Sequence, residues 1–180
     1  MASLARSAIA VKELGSPDRV RLTAVAFASL GIATMLLPVL TGLPVERLLT
    51  LLLILWGSGG IVVAFTARRN VNRTAFLAVA ICGLAAGFYY AIAGTSHVGS
   101  TAGVLAALFT AQGTLALALG LRLRGRVPAW GWLAGCGAFS ILLAGVLSAV
   151  WPVASAGTFA AIVASNFLST ALALYRLSHR

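Results

Sequence analysis

Long uncharged runs alternate with short basic segments along this chain. The runs without Lys, Arg, Asp or Glu are 22–45, 48–67, 74–121 and 127–175. A single helix over the 48 residues of the third run would be about 72 Å long, against about 30 Å for the hydrocarbon core of a bilayer. The third and fourth runs must therefore each fold back once, and the polar cluster 94–101 and the pair Trp151-Pro152 are the places where they can turn.

This pattern predicts an all-α membrane protein with six transmembrane helices. The predicted spans are 21–40, 47–67, 74–93, 99–121, 128–150 and 154–175. Together they form one transmembrane domain over 21–176. An N-terminal arm, 1–20, precedes it, and a short tail, 177–180, follows it.

The basic residues predict the orientation of these spans. Twelve of the 13 Lys and Arg residues fall on one side, within residues 1–21, in the segments 68–73 and 122–126, and within residues 176–180. Arg47 alone falls on the other side, beside Glu46. Because cytoplasmic loops carry the excess of cations, we expect a multi-pass membrane protein with both termini in the cytoplasm.

Composition supports the membrane assignment and excludes other classes. Hydrophobic residues make up 61% of the chain and charged residues 9%, where a soluble domain carries about 25% charged residues. The net charge of +10 would suggest nucleic acid for a soluble chain, but these cations flank spans and no aromatic residues are interleaved with them. We therefore expect the lipid bilayer as partner, with a second copy or another membrane protein as further partners, and no nucleic acid.

Recurring spacings predict an internal repeat of about 54 residues, with coincidence in a Gly/Ala-rich membrane chain as the alternative. The equivalent pairs are Ser58 with Arg68, Gln112 with Arg122, Asn166 with Arg176 and, at the outer ends of odd helices, Gly31 with Pro38, Gly87 with Gly94, Gly145 with Pro152. A repeat with two spans keeps the same direction from unit to unit. The fold prediction is therefore three parallel helical hairpin repeats around an axis along the membrane normal.

The repeat places one polar residue of each even helix near the middle of the membrane. Ser58, Gln112 and Asn166 each precede an inner arginine by ten residues, or about 15 Å of helix. Such groups either hydrogen-bond across helices and hold them together, or line a polar conduit or ligand contact. Leucine at position 112 or 166 should cost about 1 kcal/mol in the first case and change flux in the second.

Catalytic chemistry has little to work with in this sequence. The predicted spans contain no acid, lysine or histidine that could act as a base, and Cys82 and Cys136 lack neighbours at metal-ligand spacing, so we expect no enzyme activity, metal or cofactor. On the outer face Glu46 and His97 are the groups that titrate, which suggests a sensor of acid. Glu46 also fits a simpler role, because a carboxylate favours the N-terminus of a helix.

These features together resemble the HdeD-like acid-resistance membrane proteins over about residues 20–176. The likeness is carried by Gly31 with Pro38, Gly145 with Pro152, the stretch Trp56-Gly57-Ser58-Gly59-Gly60 and the basic pair Arg68-Arg69. Gly94 departs from the pattern, because a proline would be expected there. The resemblance implies a non-enzymatic protein of the bacterial inner membrane linked to acid or general envelope stress, and it supplies no catalytic residues. The alternative is a small transporter or channel with a polar midplane layer.

Overall fold

Six α-helices make up the computed structural model, which describes residues 17–66, 71–93, 98–125, 129–151 and 155–178. They are α1 Pro17–Thr41, α2 Val45–Thr66, α3 Val71–Ala93, α4 Val98–Arg122, α5 Trp130–Val150 and α6 Ala156–Ser178. Each predicted span overlaps one of these helices, in the same order. Most of the N-terminal arm, the turn residues 94–97 and the end of the tail lie outside the described residues.

Local sequence explains where the helices begin and end. Asp18 lies in the first turn of α1, where a carboxylate is favourable beside the free backbone N–H groups. Gly42 follows α1 with φ of +58°, a left-handed conformation that glycine adopts without steric cost. Trp151 ends α5 in extended conformation, as expected for a residue before proline.

The apolar character of these helices makes the chain an integral membrane protein. Five helices of the described chain are long and apolar enough to cross a membrane, and α2 contributes a shorter apolar stretch, Arg47–Val62. Large apolar side chains project outward from the bundle, and Val39 and Ile92 are 82% and 86% exposed. Such surfaces match a lipid environment, in which no water has to be ordered around them.

The helices pack most extensively in three pairs: α1 with α6, α2 with α3, and α4 with α5. Helices joined in the predicted hairpins, such as α1 with α2, contact each other less. The α2–α3 and α4–α5 pairs are antiparallel, because in each pair the contacts run in opposite directions along the two helices. The arrangement as three hairpin repeats stays a prediction.

Glycine allows the backbones to approach closely in two of these pairs. A Cβ at Gly57 would lie 2.5 Å from the backbone nitrogen of Leu84 in α3. A Cβ at Gly137 of α5 would lie 2.5 Å from the backbone nitrogen of Leu117 and 2.6 Å from the carbonyl oxygen of Gly113, both in α4. Real Cβ atoms do not approach so closely, so only glycine fits these positions without moving a helix.

The interior of the bundle is filled by apolar side chains, mainly from the even helices. α2 contacts both α4 and α6. Aromatic rings meet there, with Trp56 and Phe109 at 6.1 Å between centroids and Phe27 and Phe167 at 5.7 Å. The largest fully enclosed side chains are those of Leu48, Leu49, Leu52, Leu53, Leu105, Phe109, Leu123, Leu147, Phe159, Val163 and Phe167.

Candidate functional site

Ser58, the first of the three predicted midplane residues, is satisfied within its own helix. It is half-buried, and its hydroxyl donates a hydrogen bond to the Leu55 carbonyl at 2.9 Å. Serine in a helix often makes this bond to the preceding turn. Ser58 therefore adds no hydrogen bond between helices.

Gln112, the second of them, is half-buried on α4. Its side-chain amide makes no hydrogen bond with the described part of the chain. A glutamine amide carries two donors and one acceptor. Gln112 therefore keeps its hydrogen-bonding capacity for lipid, water or a partner.

Asn166, the third, is 1% exposed on α6. Its Oδ1 accepts a hydrogen bond of 2.8 Å from the hydroxyl of Ser140 on α5. Its Nδ2 is buried and has no partner. Of the three residues, only Asn166 links two helices, so the prediction that it faces protein is confirmed. That the three share one layer stays a prediction.

The Ser140 hydroxyl is claimed by two acceptors. It also lies 3.1 Å from the Cys136 carbonyl of its own helix, and one hydroxyl proton cannot serve two acceptors well. The orientation of an Asn amide is an assignment, because its nitrogen and oxygen are nearly alike in size. With the Asn166 amide turned over, Nδ2 donates to Ser140 Oγ and Ser140 donates to Cys136, while Oδ1 is left without a partner. In either orientation one end of a buried amide stays unsatisfied.

More polar side chains gather around this amide. Cys136 Sγ lies 3.7 Å from Ser169 Oγ and 3.6 Å from Thr170 Oγ1, and both hydroxyls donate to the backbone carbonyl of Asn166 at 2.9 Å. We call the five residues Cys136, Ser140, Asn166, Ser169 and Thr170 the polar seam. The sequence analysis missed it, because Cys136 was considered there only as a metal ligand. The signal was the polar spacing of 166, 169 and 170, which places three hydroxyl and amide groups on one side of a helix.

The chemistry available to the polar seam is neutral hydrogen bonding. It contains a thiol, hydroxyls and an amide, and no group that is charged at neutral pH. Within the described residues no three His, Cys, Asp or Glu side chains come together as metal ligands. The seam therefore offers hydrogen bonds of neutral groups, and it offers no strong base for catalysis.

The two residues predicted as outer titrating groups lie outside the described side chains. Glu46 falls in the first turn of α2, which begins at Val45, so its predicted position near a helix N-terminus agrees with the backbone. His97 precedes α4 and lies outside the described residues. Acid sensing by this pair stays a prediction.

Comparison with known proteins adds no identification. No family model, no curated protein and no solved structure matches this chain. The resemblance to HdeD-like proteins therefore stays a prediction from the sequence. Function has to be inferred from the filled interior, the polar seam and the charged helix ends.

Proposed function

We propose that the chain is a non-enzymatic, six-span protein of the bacterial inner membrane, with both termini in the cytoplasm, that protects the envelope under acid or general stress. It acts by its presence as a packed bundle in the bilayer, alone or assembled with other copies. The family resemblance motivates the stress role. The observation that favours a packing protein over a conduit is the filled interior.

The filled interior argues against a path along the middle of the bundle. Leu52, Phe109 and Phe159 are fully enclosed, with 0% relative exposure each, and they come from the three even helices. The described charged side chains lie at helix ends, so no ion-binding group faces the interior. A continuous hydrated channel would need polar groups in place of these rings and leucines.

The stress role is tested by deletion and complementation. A strain lacking the gene should lose survival under acid shock, and the wild-type chain should restore it. Gly137→Leu, which forces α5 away from α4, should restore survival poorly, whereas Gly135→Leu on the open side of α5 should restore it fully. Unchanged survival of the deletion strain under acid and other envelope stresses would refute the proposal.

The topology is tested with reporter fusions. A reporter that is active only in the cytoplasm should work when placed after Arg73 or Arg126, and one active only outside should work near Thr95. The positions of twelve cations on one side are the reason. Finding residues 94–101 accessible from the cytoplasm in intact cells would contradict six spans.

A second candidate function, a small transporter or channel, is favoured by the unsatisfied Asn166 amide. An unpartnered polar group buried among helices costs about 1–3 kcal/mol, and a transient polar solute or water would satisfy it. Proteoliposomes should then show flux of a small neutral solute that Asn166→Leu reduces. Equal flux through wild-type and Asn166→Leu protein, at the level of empty liposomes, would remove this candidate.

A further inference from the structure

Three arginines of the described chain are stacked over aromatic rings, and all three lie at the same end of the bundle. Arg73 at the start of α3 lies 5.3 Å from the ring centroid of Phe65. Arg124, just after α4, lies 5.5 Å from the Trp130 ring. Arg176 in the last turn of α6 lies 5.1 Å from the Trp132 ring. A guanidinium over an aromatic face is attracted to the electron-rich ring.

Two of these pairs bracket the first turn of α5. Trp130 and Trp132 are two residues apart there, and they receive Arg124 from the α4 side and Arg176 from the α6 side. Both arginines are exposed, and Trp132 is 44% exposed. Stacking occupies the face of a guanidinium and leaves its N–H edges free to donate. We call these four residues the basic-aromatic cradle.

At this end of the bundle the positive charge exceeds the negative charge of the described residues. The described arginines here are Arg19, Arg21, Arg73, Arg122, Arg124 and Arg176, against one described carboxylate, Asp18. None of the six forms an ion pair with a described residue. An anion from outside the chain is therefore the natural partner of this surface.

The start of α5 adds to the attraction for an anion. Ala129 occupies its N-cap position, and no side chain caps the helix there. The first N–H groups of a helix lack internal partners and carry partial positive charge. In this protein the first turn of α5, Trp130 to Trp132, also carries both rings of the cradle, and the Trp132 N–H bonds the Ala129 carbonyl at 3.0 Å.

We propose that the basic-aromatic cradle binds the phosphate of an anionic phospholipid in the adjoining leaflet. Arginine donates two parallel hydrogen bonds to phosphate, and tryptophan side chains favour the headgroup level of a bilayer. The apolar helices of the same bundle continue directly from the cradle, so acyl chains of the bound lipid would lie along them. This assignment needs only that this end of the bundle lies at a membrane surface, and it is independent of orientation and of the proposed stress role.

The test uses the full chain purified in a neutral detergent and titrated with phosphatidylglycerol or phosphatidylcholine, with retained lipids counted by native mass spectrometry. Wild type should retain phosphatidylglycerol in preference to phosphatidylcholine, also in the presence of excess inorganic phosphate. The double variant Arg124→Gln with Arg176→Gln should bind phosphatidylglycerol with about 30-fold lower affinity. Arg19→Gln with Arg21→Gln is the matched control, because it removes the same charge from exposed, unstacked arginines at the same end, and it should change binding less than about threefold.

A second variant separates a built site from general surface charge. The double variant Trp130→Leu with Trp132→Leu keeps all arginines. Its affinity for phosphatidylglycerol should still fall about fivefold, because the guanidinium groups are no longer held in place. Equal losses for the two double arginine variants would overturn the proposal in favour of diffuse attraction. Equal retention of the two lipids by wild type would also overturn it, as would displacement of the lipid by inorganic phosphate.

Discussion

The two sides of α5 contact their neighbours in opposite ways. Toward α4, Gly137 lies against Gly113 and Leu117 so closely that a single added carbon atom would collide with backbone. Toward α6, Ser140 reaches Asn166 through one hydrogen bond and leaves Nδ2 of the same amide without a partner. One contact is dry, with backbone against backbone. The other is polar and incompletely satisfied.

The difference indicates where this bundle is fixed and where it can change. In lipid, helices gain little from excluding water, so close packing through small residues is a main source of association. A glycine contact of this kind permits one arrangement only. A hydrogen-bonded seam with an unused donor or acceptor can form a further hydrogen bond.

The largest effect is expected where the glycine contact is broken. Gly137→Ala should lower the free energy of unfolding by about 2 kcal/mol, because the new Cβ overlaps backbone atoms of α4. Gly135→Ala on the same helix, where a Cβ meets nothing within 4 Å, should change it by less than about 0.5 kcal/mol. Unfolding of both variants in mixed micelles gives the comparison. Equal stability of the two would mean that the close approach contributes nothing.

The same contact occurs in α2 with α3, and this bears on the predicted repeat. The Cβ of Gly57 would meet the Ala80 oxygen and Leu84 nitrogen, and that of Gly113 would meet the Gly137 oxygen and Ile141 nitrogen. These equivalent atoms are 56 or 57 residues apart, whereas the sequence comparison aligned Ser58 with Gln112 at 54. At 1.5 Å per residue, a shift of two residues moves a side chain about 3 Å along the helix and about 200° around it. The midplane alignment is thus the part of the repeat that helix packing supports least.

An intermediate effect is expected in the polar seam. Ser140→Ala should lower stability by about 1.5 kcal/mol, because it leaves the whole Asn166 amide buried without a partner. Asn166→Leu should be nearly neutral, since Ser140 can still donate to the Cys136 carbonyl. The double variant, Ser140→Ala with Asn166→Leu, should recover most of the lost stability, so that its free energy of unfolding lies within about 0.5 kcal/mol of wild type. Additive losses in the double variant would show that the two residues act separately.

The sequence predicted the helices well because a bilayer allows few alternatives. Backbone groups in lipid must bond within a helix, so uncharged runs such as 74–121, with a turn near the middle, translate almost directly into spans. Helix partners follow from no such rule. The pairing of α1 with α6, and the fit of Gly57 against Leu84, depend on side-chain shape at positions far apart in the chain.

Function-bearing groups were predicted less well for the same reason. Asn166 was identified because an amide stands out in an apolar run. Its partner Ser140 was not identified, since serine can bond its own helix and need not face another. Depth in the membrane can be counted along the sequence, whereas direction around the bundle requires knowledge of the neighbours. The polar seam combines residues of α5 and α6, and the basic-aromatic cradle adds α4.

The smallest effect is expected at Gln112, which extends the comparison to an amide that is not enclosed. Gln112 precedes Gly113 of the dry contact, yet it is half-buried and makes no hydrogen bond with the described residues. Gln112→Leu should therefore change the free energy of unfolding in micelles by less than about 0.5 kcal/mol. The control is Thr114→Val, on the opposite side of α4, where an exposed hydroxyl bonds its own helix. A loss of about 1 kcal/mol would instead indicate the bond between helices that the sequence suggested. If Gln112→Leu left stability unchanged but reduced solute flux in proteoliposomes, the amide would face a polar path beside the bundle, and the contrast between dry and polar contacts would extend to α4.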